Sequence, residues 1–139
     1  MILHEVLRLL PPITVMSRLV HNELNLGNFL LPAGVLVSMP LMLVHQDPLI
    51  WGEEANDFNP ERFSEGISNA TKGKAAYFPF GWGPRVCIGQ NFALVETKVA
   101  LAMILQRFSL ELSPAYTHAP SAVFTLKPQH GAHIILRQL

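Results

Sequence analysis

The 139-residue sequence predicts a mixed α+β chain, mainly helical with small β-sheets. Three observations carry this expectation. Segments with helical apolar spacing stand at the start of the chain and again at Asn91–Gln106. Short β-branched and apolar runs are separated by proline and glycine turns. Between them lies a long turn-rich stretch from Gln46 to Phe80.

In order, residues 1–10 read as an amphipathic helix stopped by Pro11-Pro12. It begins without a cap, as expected of a chain cut from something longer. Residues 13–20 read as a strand. Glu23–Leu26 and Phe29–Leu31 flank Gly27-Asn28, a hairpin signature. Val35–Ser38 reads as another short strand, and Pro40–His45 as a short helix opened by proline. Leu24–Gln46 lacks Asp, Glu, Lys and Arg, but two prolines and two glycines interrupt it. It therefore reads as turns between buried strands rather than as a membrane-spanning helix. Asn91–Gln106 is apolar around nearly its whole circumference, which predicts a buried helix. Phe108–Leu112, Ala122–Leu126 and Ala132–Arg137 read as strands, the last two joined by a turn through Pro128–Gly131.

Half the residues are hydrophobic and 14% are charged, below the usual quarter or so, so the apolar excess needs further protein, a cofactor or a membrane to cover it. Net charge is zero, which gives no basic surface for nucleic acid. The single cysteine, Cys87, excludes a disulfide framework and a cysteine-rich zinc site, and fits a reducing compartment. No cleavable leader is evident at the start.

Cys87 sits in Phe80–Gln90, FGWGPRVCIGQ, among Gly81, Gly83 and Gly89 and two residues after Arg85. A lone cysteine is commonly a buried small hydrophobe. Here the neighbours are glycines, which offer no packing but allow tight turns and close approach. The helix that follows presents free N–H groups, and Arg85 adds a fixed cation; both favour a thiolate. A nucleophilic cysteine would need a histidine folded back from elsewhere. A thiolate ligand to haem iron needs one cysteine only.

Phe80, Gly83, Arg85, Cys87 and Gly89 reproduce F-x-x-G-x-R-x-C-x-G, and the chain thereby resembles the cytochrome P-450 family. Two further segments carry the resemblance: Glu5 and Arg8 match E-x-x-R on a helix, and Pro60–Phe63 matches P-E-R-F. The order and intervals are those of the family. The resemblance implies that Cys87 is the axial ligand of haem b, that Phe80 packs beside the sulfur, and that Arg85 pairs with a haem propionate. It implies a buried triad of Glu5, Arg8 and Arg62 that holds the cysteine loop in place. Arg18 matches a second propionate-binding position. Ile13, Thr14, Val15 and Met16, with Val123, Phe124 and Thr125 in the Ala122–Leu126 turn region, match segments that line the substrate pocket, although plain packing explains any one of them equally well. His45 and Trp51 match H-x-D-P…W, a structural pattern.

The resemblance covers residues 1–139, which correspond to the C-terminal part of a single domain: the E-x-x-R helix, the meander, the cysteine loop, the buried helix and the last strands. The distal helix with A/G-G-x-D/E-T is not found, so no catalytic proton-delivery residue is assigned. The implied activity of the whole protein is insertion of one atom of O2 into an apolar small molecule, with electrons from NADPH through a flavoprotein reductase. Lys72, Lys74 and Lys98 are candidate contacts for that reductase, or simply solvated. An N-terminal anchor, not matched here, would hold the protein at the cytoplasmic face of the endoplasmic reticulum. FGWGPRVCIGQNFA and KPQHGAHIIL resemble the plant clade that includes secologanin synthase, whose members oxidise terpenoid-type substrates. The alternative is a truncated, non-catalytic remnant that binds haem weakly or not at all. A rearranging member of the family would carry insertions around the cysteine, and none is seen.

Overall fold

A computed structural model describes all residues, 1–139. The chain forms two compact units, Met1–Pro79 and Phe80–Leu139. No helix is long and apolar enough to cross a membrane.

The first unit opens with α1 (Ile2–Leu9), ended by Pro11, which is buried. The face that α1 turns inward carries Glu5 and Arg8, both fully buried. Strand β1 (Val15–Leu19) runs antiparallel to β4 (Leu36–Pro40), with Ser17 opposite Ser38. Between them, β2 (Leu24–Leu26) and β3 (Phe29–Leu31) form the hairpin expected around Gly27-Asn28, with Gly27 at φ +59°. These ribbons were expected to be buried and are not: most of their side chains are exposed, because each is a two-stranded sheet with no layer over it in the unit.

Short helices follow. The helix α2 (Leu41–His45) leads into α3 (Pro48–Trp51). Asp47 caps α3, its Oδ1 accepting from the Leu49 N–H at 2.9 Å, with Pro48 in the first turn. Trp51 donates its indole N–H to the Val44 carbonyl at 3.0 Å, folding α3 back on α2. A 3-10 helix at Pro60–Phe63 and α4 (Gly66–Ala70) complete the segment. This stretch was expected to hold little regular structure. It instead supplies the hydrophobic core: Trp51, Ala55, Phe63 and Tyr77 cluster, with Leu7 of α1, Ile50 and Ala70 against them. The three aromatic rings meet at centroid distances of 5.1–6.3 Å in tilted and edge-on arrangements.

The second unit holds the cysteine loop and then α5 (Gln90–Leu105). Strand β5 (Phe108–Leu112) pairs antiparallel with β8 (Ile134–Gln138), and β6 (Pro120–Ala122) with β7 (Leu126–Pro128). Two expectations fail here. Ala122–Leu126 is not a strand: Val123–Thr125 is the tip of the β6–β7 hairpin, and the last strand pairs with β5 rather than across the Pro128–Gly131 turn. The helix α5 is not buried; Phe92, Val95, Val99, Met103 and Leu105 are all more than half exposed, because the unit sets only short ribbons beside it.

Candidate functional site

The cysteine loop is built from backbone geometry. Gly81 and Gly83 stand at φ +82° and +73°, the left-handed region that a side chain disfavours. Gly83–Arg85 makes one turn of 3-10 helix, and the chain then returns. The Cys87 N–H donates to the Phe80 carbonyl at 2.8 Å, closing the loop across its neck. Cys87 is exposed, and Ile88 beside it is fully exposed. Gly89 is the N-cap of α5, at φ −85°, a conformation open to any residue. A Cβ there would stand 3.8 Å from the Cys87 Sγ and fill one flank of the sulfur.

This arrangement fits a haem thiolate. The sulfur is open to a partner, its flank is kept clear by Gly89, and Trp82, Val86 and Ile88 give the loop an exposed apolar surface suited to a flat macrocycle. The sulfur lies at the start of a 16-residue helix with no side-chain cap, whose first-turn N–H groups and dipole favour negative charge. Phe80 is half-buried at the neck. Arg85 is exposed, and the ion pairs of the chain do not include it.

The polar network of the first unit is more fully formed. Arg8 meets Glu5 through two parallel bonds, Nε to Oε2 and Nη2 to Oε1, each 2.8 Å. The same guanidinium donates to the carbonyls of His45 (2.8 Å), Ala55 and Asp57 (3.2 Å). It also lies 5.1 Å from the Trp51 ring centroid. Glu5 Oε1 accepts the Asn59 N–H at 2.9 Å. Arg62 Nε stands 3.7 Å from Glu5, an ion pair without a hydrogen bond, while its Nη groups hold the carbonyls of Trp51 and Glu54 at 2.8 and 2.9 Å. Burial alone would raise the Glu5 pKa; hydrogen bonds from Arg8 and Asn59 and the charges of Arg8 and Arg62 outweigh it and leave it lowered.

His45 has partners far away in the sequence, which its local pattern does not mark. His45 is fully buried, its ring against Tyr77 and Phe78, and its Nε2 accepts the Phe78 N–H at 3.1 Å. Burial, then the Arg8 charge, lower its pKa from 6.5 to about 4. Tyr77 shares its hydroxyl with His4, donating to the His4 carbonyl at 3.1 Å, and burial followed by the Glu5 charge raises its pKa.

The remaining residues singled out in the sequence make no hydrogen bond or ion pair with this network. Arg18 is exposed on β1 and donates to the Ser17 carbonyl. Ile13 and Val15 are exposed, Thr14 and Met16 half-buried. Val123, Phe124 and Thr125 are exposed at their hairpin tip. Lys72, Lys74 and Lys98 are exposed.

The cytochrome P450 family model matches residues 1–134. The chain belongs to the cytochrome P450 family. Over all 139 residues it is 63% identical to "Cytochrome P450 72A397" of Kalopanax septemlobus and 61% identical to "11-oxo-beta-amyrin 30-oxidase" of Glycyrrhiza uralensis. It spans 27% of the length of each of these curated relatives. Among solved structures, the P450 described as "Retinoic acid bound cyanobacterial CYP120A1" matches with a TM-score of 0.88 and 31% identity, over 99% of this chain and 32% of that one. The family fold, helical with small antiparallel sheets, is therefore the one that these residues adopt in part.

Proposed function

We propose that the protein carrying this chain is a haem-thiolate monooxygenase, with Cys87 as the axial ligand. The observation that carries the proposal is the exposed Cys87 sulfur on a glycine-turned loop, tied at its neck and set at the N-terminus of α5. When bound, haem iron with a thiolate ligand supplies oxygen activation, ending in transfer of one oxygen atom to an apolar substrate.

The chain's own residues hold and shape the site. Gly83 sets the turn, Gly89 leaves one flank of the sulfur open, and Phe80 fixes the loop neck through its carbonyl. Cys87 stands just before the N-terminus of α5. Arg85 and Arg18, exposed and without carboxylate partners, would take the haem propionates. Glu5, Arg8 and Arg62 cross-link α1 to Trp51, Glu54, Ala55, Asp57 and Asn59, and so brace the segment that leads to the loop. Ile13–Met16 and Val123–Thr125 are assigned to the substrate pocket of the whole protein.

The substrate class proposed is terpenoid, supported by the relative named as an 11-oxo-beta-amyrin oxidase. Electrons would come from NADPH through a flavoprotein reductase, and the whole protein would be held at the endoplasmic reticulum membrane. The test is a reconstitution of the full-length protein with reductase and NADPH on triterpenoid candidates under isotopically labelled O2. Incorporation of one labelled atom per product is expected; a product whose added oxygen comes from water would overturn the reading.

A further inference from the structure

The phenol of Tyr77 is a buried titratable group that the haem-thiolate reading leaves without a task. Tyr77 and Trp51 are both buried, their rings edge-on with centroids 6.3 Å apart. The Tyr77 hydroxyl meets two acceptors, both on His4: the backbone carbonyl at 3.1 Å and the ring Nδ1 at 3.0 Å. Of these only Nδ1 is basic, and it accepts a proton in the tautomer that carries its own on Nε2. Trp51 has no such outlet. Its indole N–H goes to the Val44 carbonyl at 3.0 Å, which is not a base, and the Arg8 guanidinium stands 5.1 Å from its ring centroid. A positive charge left on Trp51 by loss of an electron would face that fixed cation and could not be shed as a proton.

We propose that Tyr77 and His4 form a redox-active pair: a one-electron oxidant removes an electron from the Tyr77 phenol while the O–H proton passes to His4 Nδ1. The O–H bond breaks, an N–H bond forms, and the oxidant is reduced by one electron. The products are a neutral Tyr77 phenoxyl radical and a His4 imidazolium. The oxidant belongs to the class of strong one-electron acceptors, which includes oxygen-derived radicals and ruthenium(III) polypyridyl complexes. Where Trp51 loses the electron first, Tyr77 returns one to it, and the vacancy comes to rest on Tyr77, where loss of the proton leaves the ring without charge. Burial, followed by the Glu5 charge, raises the Tyr77 pKa. Oxidation by way of the phenolate is thereby closed at neutral pH, so electron and proton leave together and the base at the hydroxyl sets the rate. His4, Trp51 and Tyr77 all lie within the first unit, and the pair does not depend on haem at Cys87.

The test uses the full-length holoprotein and compares wild type, Tyr77→Phe and His4→Gln. A ruthenium(III) polypyridyl oxidant is generated in solution by a laser flash with a sacrificial electron acceptor. Phenoxyl formation is followed by transient absorption, and the freeze-quenched radical is identified by electron paramagnetic resonance. Wild type is expected to give a phenoxyl component that Tyr77→Phe lacks. Glutamine can offer its amide oxygen to the Tyr77 hydroxyl but cannot take a proton at neutral pH, so a merely structural contact would survive in His4→Gln. That variant is instead expected to form the radical about a hundredfold more slowly, the scale of a positioned general base. A wild-type phenoxyl yield in Tyr77→Phe, a wild-type rate in His4→Gln, or no phenoxyl in wild type overturns the inference. The His4→Gln rate decides alone if Tyr77→Phe does not fold.

Discussion

Replacing Glu5 by alanine is the perturbation with the largest effect that can be worked from the structure. The carboxylate is fully buried and holds two bonds from Arg8, one from the Asn59 N–H and the charge of Arg62 at 3.7 Å. Its removal leaves the fully buried Arg8 guanidinium without a counter-charge, a loss of about 3–5 kcal/mol for a broken buried pair. The orphaned Asn59 N–H adds about 1–3 kcal/mol if no water reaches it. Part of this is recovered, because Arg8 keeps the carbonyls of His45, Ala55 and Asp57. A net destabilisation of about 3–5 kcal/mol is expected. The internal control is Glu111–Arg137, a 3.0 Å pair whose side chains are 58% and 67% exposed. Glu111→Ala should cost less than about 1 kcal/mol. Both variants are made in the full-length protein and compared by urea unfolding at one pH. A Glu5→Ala loss no larger than that of Glu111→Ala would refute the view that this network braces the fold.

Further outcomes follow from the same geometry. The His45 pKa is lowered from 6.5 to about 4, so the unfolded state binds the proton first; stability present above pH 6.5 is lost as the pH falls toward 4, by up to about 3 kcal/mol, and His45→Gln should remove that part of the acid profile in urea titrations. Gly83→Ala, at φ +73°, should destabilise the loop by about 1 kcal/mol or more, whereas Gly89→Ala, at φ −85°, should leave unfolding nearly unchanged and shift the haem spectrum through its 3.8 Å approach to the sulfur; equal melting losses in the two would contradict this. Trp51→Ala removes the centre of the aromatic core and should cost about 3–5 kcal/mol in the same assay. The isolated 139-residue segment, with α5 open to water, should hold haem poorly; a stable one-to-one complex in a haem titration would show otherwise.

Features set by local spacing were legible in the sequence. Glu5 and Arg8 fall on one helix face because three residues make nearly one turn. The Gly27-Asn28 hairpin follows from the backbone angles a tight turn requires. The cysteine loop is a run of fixed residues within one short stretch. What was illegible depends on distant partners. His45 and Phe78 are 33 residues apart, and nothing local to either marks an acceptor or its donor. The core residues Trp51, Ala55, Phe63 and Tyr77 are scattered through a segment with no helical or strand period, so periodicity could not find them. Val123–Thr125 has a β-branched, aromatic composition that reads as strand, yet it forms a hairpin tip with its apolar side chains exposed. For α5, an all-round apolar surface predicts burial, but burial depends on what else surrounds a helix.

The central claim is that the Cys87 sulfur binds haem iron. Iron-edge X-ray absorption on the full-length holoprotein tests it most directly, with Cys87→Ser alongside. A sulfur neighbour at the iron in wild type, missing in Cys87→Ser, is the expected result. A sulfur neighbour that persists in Cys87→Ser, or none in wild type, would contradict it.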